Sequence, residues 1–165
     1  MSRMTIVRGF ALALASAWLA GMPIATSAKP PANTPGSEPY QTTIDASFGP
    51  GGSNADGGMY LSPDPIPANR RLVIEFVSAS IIVPTGSDPL LSLGSVVGGR
   101  MSAFQLPLTY HGPGTYGDGD EYRVVMMVRL YVDGNGVNGP YAWCLKNTVG
   151  RGLCTVDISG YLIEK

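Results

Sequence analysis

The chain is poor in the residues from which most enzymes assemble a reactive centre. It has one histidine, His111, and two cysteines, Cys144 and Cys154, in 165 residues. A Cys-His pair needs a free thiol and a zinc site needs several nitrogen or sulfur ligands, so both are disfavoured. No Gly-x-Ser-x-Gly elbow occurs, since Gly94-Ser95 runs on into Val96-Val97. No Gly-x-x-x-x-Gly-Lys run occurs either, which removes the usual phosphate cradle. Beyond residue 28 no apolar run approaches the roughly eighteen residues that a spanning helix needs. No amphipathic-helix pattern and no solenoid or propeller repeat is visible there. Positive charge is not in excess: residues 29–165 hold nine basic against twelve acidic side chains, a net charge of −3. That balance gives no support for a nucleic-acid partner or an anionic membrane surface.

What is present begins with an export pattern. Arg3 and Arg8 precede an apolar stretch at residues 9–20, and small residues fill positions 25–28. This order predicts a signal peptide over residues 1–28, cleavage near Ala28, and a periplasmic or extracellular chain without a membrane anchor. The remaining 137 residues suffice for one domain with a real core. Two cysteines in an oxidising compartment predict a Cys144–Cys154 disulfide between neighbouring strands joined by a short turn. Closing so short a loop is worth roughly 2.5–3 kcal/mol in the chain-entropy model.

Residues 29–39 (KPPANTPGSEP) read as a Pro-rich disordered linker, and residues 40–165 as a single β domain. Residues 40–48 alternate, with Tyr40, Thr42, Ile44, Ala46 and Phe48 on one face. Glycine-rich residues 49–58 read as a loop, followed by a short strand at 59–61. Residues 71–83 (RLVIEFVSASIIV) give the strongest strand signal, with small residues 78–80 as the place for a face-swapping bulge. Residues 90–97 and 101–111 follow, the second interrupted by Pro107. Residues 122–133 place Tyr122, Val124, Met126, Val128, Leu130 and Val132 on a core face. Residues 140–146 and 153–163 suggest a closing hairpin. About eight strands with turn signals between them predict an all-β, antiparallel sandwich. A jelly-roll-like arrangement is the first expectation and an immunoglobulin-like sandwich the alternative.

Candidate ligand-loop residues gather around two glycine-rich turns. Tyr110, His111 and Tyr116 lie with Asp118, Asp120 and Glu121 near the first; Asp133, Asn135 and Trp143 lie near the second. Aromatics beside polar loops suit stacking on a sugar ring, and they equally fill the ends of a sandwich. The two acidic groups supply oxygens of the kind calcium takes, but neither has EF-hand spacing, and Asp, Asn and Gly also simply make turns. No catalytic set and no resident metal is assigned.

Residues 67–79 (PANRRLVIEFVSA) and 158–162 (ISGYL) carry a resemblance. They are similar to a group of small exported bacterial proteins without an assigned function, in which a "PAGKRLVIE-V" strand comes early and an "ISGYLV" strand closes the fold. The resemblance implies export and a β-sandwich, and transfers no site residue. The leading expectation is an exported, non-enzymatic β-sandwich with a binding or surface-structural role. Its partner is open, with a second copy of the chain or a carbohydrate as the candidates. The alternatives are a secreted hydrolase acting on a polysaccharide or ester, and a small secreted inhibitor or effector.

Overall fold

The computed structural model describes residues 37–49, 56–114 and 119–165, and no helix occurs among them. The expected signal peptide, most of the expected linker, and Tyr116 and Asp118 lie outside the described residues. Nine strands form: β1 (Glu38–Phe48), β2 (Asp56–Leu61), β3 (Arg70–Val83), β4 (Leu90–Val97), β5 (Arg100–Gln105), β6 (Thr109–Pro113), β7 (Asp120–Asp133), β8 (Tyr141–Lys146) and β9 (Gly152–Glu164).

Their pairing is nested. β1 pairs β9, β2 pairs β8, β3 pairs β7 and β4 pairs β5, all antiparallel. This is the pattern of one long hairpin whose tip is the Gly98-Gly99 turn. Both glycines there have positive φ (58° and 76°), as a two-residue hairpin turn matching strand twist requires. Rolling the long hairpin adds the β3–β9 and β4–β8 ladders. Two continuous runs result, β1-β9-β3-β7 and β2-β8-β4-β5, which touch through one parallel bridge, Val96 to Val132. The short β6 pairs with the start of β7. The whole is a mixed sheet, nearly barrel-shaped.

Side chains fasten the seam where β1 meets β2, since no backbone ladder joins these strands among the described residues. The Tyr40 hydroxyl donates to the Asp64 carbonyl (2.7 Å), and Thr42 Oγ1 reaches Ser62 Oγ (2.5 Å) and Asp64 Oδ2 (2.6 Å). Thr42 and Ser62 are buried, so these bonds satisfy polar groups that water does not reach.

The core lies between the two runs. β3 shows why a strand of apolar residues on both faces still has one inside. Leu72 and Ile74 are buried in the core, and so are Val77, Ala79, Ile81 and Val83. The switch from even to odd positions happens at Glu75, where both ladders of β3 shift register. An extra residue there turns the following side chains over. Opposite this point stands Gly160, and a Cβ on it would collide with the Val73 carbonyl oxygen. Glycine lets β9 close on the bulged strand.

The structure departs from several sequence expectations. There are nine strands, not eight, and one pairing is parallel. The bulge is at Glu75, displaced from residues 78–80, because the close approach of Gly160 decides its place. Glu38 and Pro39 belong to β1 and not to a linker. Residues 56–58 belong to β2 and not to a loop: Gly57 has φ +140° and its missing side chain admits the Cys144 carbonyl of β8. Residues 101–111 divide into β5 and β6, because Leu106 turns inward to the core while its N–H donates to the Leu91 carbonyl (2.8 Å). The expected closing hairpin is absent: β8 pairs with β2 and β4, and β9 with β1 and β3.

The cysteines are nonetheless at disulfide distance, with Cα atoms 6.4 Å apart and both side chains buried. Because β8 and β9 belong to different runs, the bond crosses the core and does not staple two hairpin neighbours.

Candidate functional site

β7 separates the expected ligand residues. Asp120 and Glu121 start it and Asp133 ends it, and a strand of 14 residues extends about 45 Å at roughly 3.3 Å per residue. Tyr110 and His111, on β6, join Glu121 at one end. Asn135 joins Asp133 at the other. Trp143 lies on β8, in the other run.

At the first end, Glu121 is buried and accepts from Ser80 Oγ (2.9 Å) and Arg123 Nε (2.7 Å). The Arg123 guanidinium, then the Ser80 hydroxyl, hold its carboxyl below the usual range against the effect of burial. His111 sits at a register irregularity between Tyr110 and Gly112, close enough for its charge to act on Glu121. The Ser80 hydroxyl donates to the Glu121 carboxylate and not to the His111 imidazole. The Tyr110 ring packs edge-on to Tyr122, with centroids 5.5 Å apart. The Asp120 carboxylate is occupied by the Gly86 N–H (3.0 Å).

At the second end, Asp133 is a clamp. It accepts from Arg71 Nε (2.6 Å) and from the Gly98 N–H (2.9 Å), with Lys165 Nζ at 3.7 Å. It thereby ties β3, the β4–β5 turn and the C-terminus to the end of β7. Asn135 caps its own turn by accepting the Val137 and Asn138 N–H groups. No group of three acidic, histidine or cysteine side chains suited to a metal occurs among the described residues, which do not include Asp118.

The clamp gives a pH prediction. The Arg71 guanidinium, then the Gly98 N–H, lowers the Asp133 pKa from 3.8 to about 2. A carboxylate whose folded pKa is depressed contributes stability above its unfolded pKa and loses it as pH falls through the folded value. Wild-type stability is therefore expected to fall between about pH 4 and pH 2 more steeply than that of Asp133→Asn, measured by urea unfolding at each pH. Parallel profiles would remove Asp133 from this role.

A different surface stands out once the strands are in register. On β8, Ala142 and Cys144 point into the core, so Tyr141, Trp143 and Leu145 lie on the outer face. In register beside them are Gly57, Met59 and Leu61 on β2, and Leu90, Ser92, Gly94 and Val96 on β4. Met101, Ala103 and Gln105 of β5 continue the face. No charged residue occurs at these positions. Met59, Leu61 and Met101 are 47%, 48% and 57% exposed. Tyr141 lies over Gly94, whose missing side chain makes room for the ring, and meets Trp143 edge-on at 5.2 Å. The Tyr141 hydroxyl is buried without a hydrogen-bond partner among the described residues, and burial raises its pKa. All six β5 residues are exposed, so the β4–β5 tip stands clear of the body.

The outer face of the other run is different in character. It carries Asp45, Asp157, Glu121, Arg123 and Arg129 among threonines, serines and the exposed apolar side chains of Val125, Met127 and Leu153. The charge-free face is the site that residue chemistry alone did not single out. The one local signal for it was the alternation of Tyr141 and Trp143 with Ala142 and Cys144. No family model and no curated protein matches the chain.

Proposed function

We propose that the chain is an exported, non-enzymatic jelly-roll protein with a structural, assembling role, and that it docks onto a second copy of itself through the charge-free outer face. The observation carrying this reading is the face itself: four strands in register, no charge, and three half-exposed methionine and leucine side chains. Exposed apolar side chains on a face without charge suit a contact with another protein. A second copy fits the chemistry. A charge-free face brought against itself across a two-fold axis sets no like charges together and buries no unpaired ion. The opposite outer face, with its mixed charges, keeps the assembly soluble.

The jelly-roll assignment is favoured by the nested pairing, which gives the two interleaved runs 1-9-3-7 and 2-8-4-5 of a rolled hairpin. An immunoglobulin-like order would not nest in this way. Export is supported by the signal pattern in residues 1–28 and by a buried cysteine pair at disulfide distance, which suits an oxidising compartment. The likeness to small exported bacterial proteins agrees with the same reading.

Sedimentation velocity of the exported chain at about 10–100 μM, where weak to moderate self-association populates dimers, tests the proposal. Wild type is expected as a dimer or larger, and the double variant Leu61→Glu/Met101→Glu as a folded monomer. A monomeric wild type, or a variant that assembles unchanged, would overturn it.

A further inference from the structure

The outer face of β1-β9-β3 carries a second feature, independent of the docking face. An open cavity of about 350 Å³ lies there, lined by Gln41, Thr43, Phe76, Asp157 and Ser159. Its origin is the bulge. Past Glu75, Phe76 turns outward, and the row Gln41, Ser159, Phe76, Met127 comes into register across four strands. The next row is Thr43, Asp157, Ser78, Val125. One half of the footprint is therefore polar and the other apolar.

The polar half is prepared for hydroxyl groups. Thr43 Oγ1 donates to Asp157 Oδ1 (2.7 Å), which fixes the carboxylate and leaves its other oxygen to accept. The Gln41 amide and the Ser159 hydroxyl have no hydrogen-bond partner among the described residues. Together these groups offer an ionised acceptor, an amide able to donate and accept, and a hydroxyl. Phe76 forms the apolar wall, and Met127, 73% exposed, extends it. No cationic side chain lines the cavity, which removes the attraction that a phosphate, sulfate or uronic acid would need. The volume is at the low end of ligand pockets, roughly 300–1,000 Å³.

We propose that this cavity binds a sugar ring of a neutral glycan. An uncharged pyranose has the same division: an apolar face of C–H groups to set against Phe76, and hydroxyls to donate to Asp157 and pair with Gln41 and Ser159. Charge-assisted bonds to Asp157 supply the orientation. The cavity is open, so binding of a single chain is weak, in the range of about 0.1–10 mM. The charge-free face on the other run stays free for its own partner.

The test titrates the exported chain with neutral hexasaccharides of glucose, xylose, galactose and N-acetylglucosamine units, up to about 10 mM, read by amide chemical shifts. At least one probe is expected to bind, with shifts confined to Gln41, Thr43, Phe76, Asp157 and Ser159. Gln41→Ala and Asp157→Asn, both on exposed positions, should each weaken that binding about tenfold, the factor of one such hydrogen bond, while the amide spectrum elsewhere stays unchanged. Phe76→Ala should abolish it. Leu61→Glu, on the opposite face, should leave it intact. Failure of all four probes to bind would overturn the proposal. So would shifts centred on Trp143 or Tyr110, unweakened binding by Gln41→Ala and Asp157→Asn, or stronger binding of a hexasaccharide of uronic acids. None of these outcomes depends on the assembly state that the charge-free face controls.

Discussion

Ile81→Ala is expected to destabilise the protein by about 2–5 kcal/mol, the usual cost of removing three buried carbons from a packed core. Ile82→Ala, the same change one residue later, is expected to cost clearly less, under about 1.5 kcal/mol, because its side chain is only half-buried on the outer face. The difference comes from the bulge. With regular alternation from Leu72 and Ile74, the even position Ile82 would face inward and Ile81 outward. The register shift at Glu75 reverses this, and Ile81 is fully buried in the core. Chemical denaturation of the two variants checks the assignment. Equal costs, or a larger cost at Ile82, would mean that the shift at Glu75 is wrong.

Replacing both cysteines, as Cys144→Ala/Cys154→Ala, is expected to lower stability by about 2–5 kcal/mol. Much of this is the entropy of a chain no longer closed over a separation of 10 residues. The position adds to it. Cys144 lies between Gly58 and Leu91 in one run, and Cys154 between Ala46 and Ile81 in the other. The runs share a single bridge at Val96 and Val132, so the cystine is the covalent tie across the core. Both sulfurs are buried, which shields them from reductant until the protein opens. Thiol titration of unfolded, unreduced protein should find no free thiol, and reduction should lower the unfolding midpoint. Two titratable thiols, or an unchanged midpoint in the double variant, would contradict this account.

Local pattern carried the strands well. β4 is legible at both ends, the core face of β7 is as its alternation predicts, and the two cysteines stand at the disulfide distance that their pairing requires. What failed were features set by a distant partner. Glycine at 57 and 58 looks like a loop until β8 is laid against it. The bulge at Glu75 depends on Gly160, far along the chain. Cys144 and Cys154 look like hairpin neighbours because their separation is short, yet rolling the sheet sends their strands to opposite runs.

The same reason hid the surfaces of interest. Loop aromatics and acids drew attention to the two ends of β7, where the polar groups turn out to hold the fold together. The charge-free face is built from β2, β4, β5 and β8, and the cavity from β1, β3 and β9. Each strand contributes only one to four outward residues to either surface. Neither is a motif along the chain; both exist only through lateral register.

The most direct test of the docking face uses Trp143, which lies within it. Without residues 1–28, which contain Trp18, the chain has no other tryptophan. Acrylamide quenching of its fluorescence should be low in concentrated protein, where a second copy covers the face. It should rise on dilution to a plateau shared by Leu61→Glu/Met101→Glu at every concentration. Quenching that is the same at all concentrations, in wild type and variant alike, would show that nothing docks there and would contradict the account.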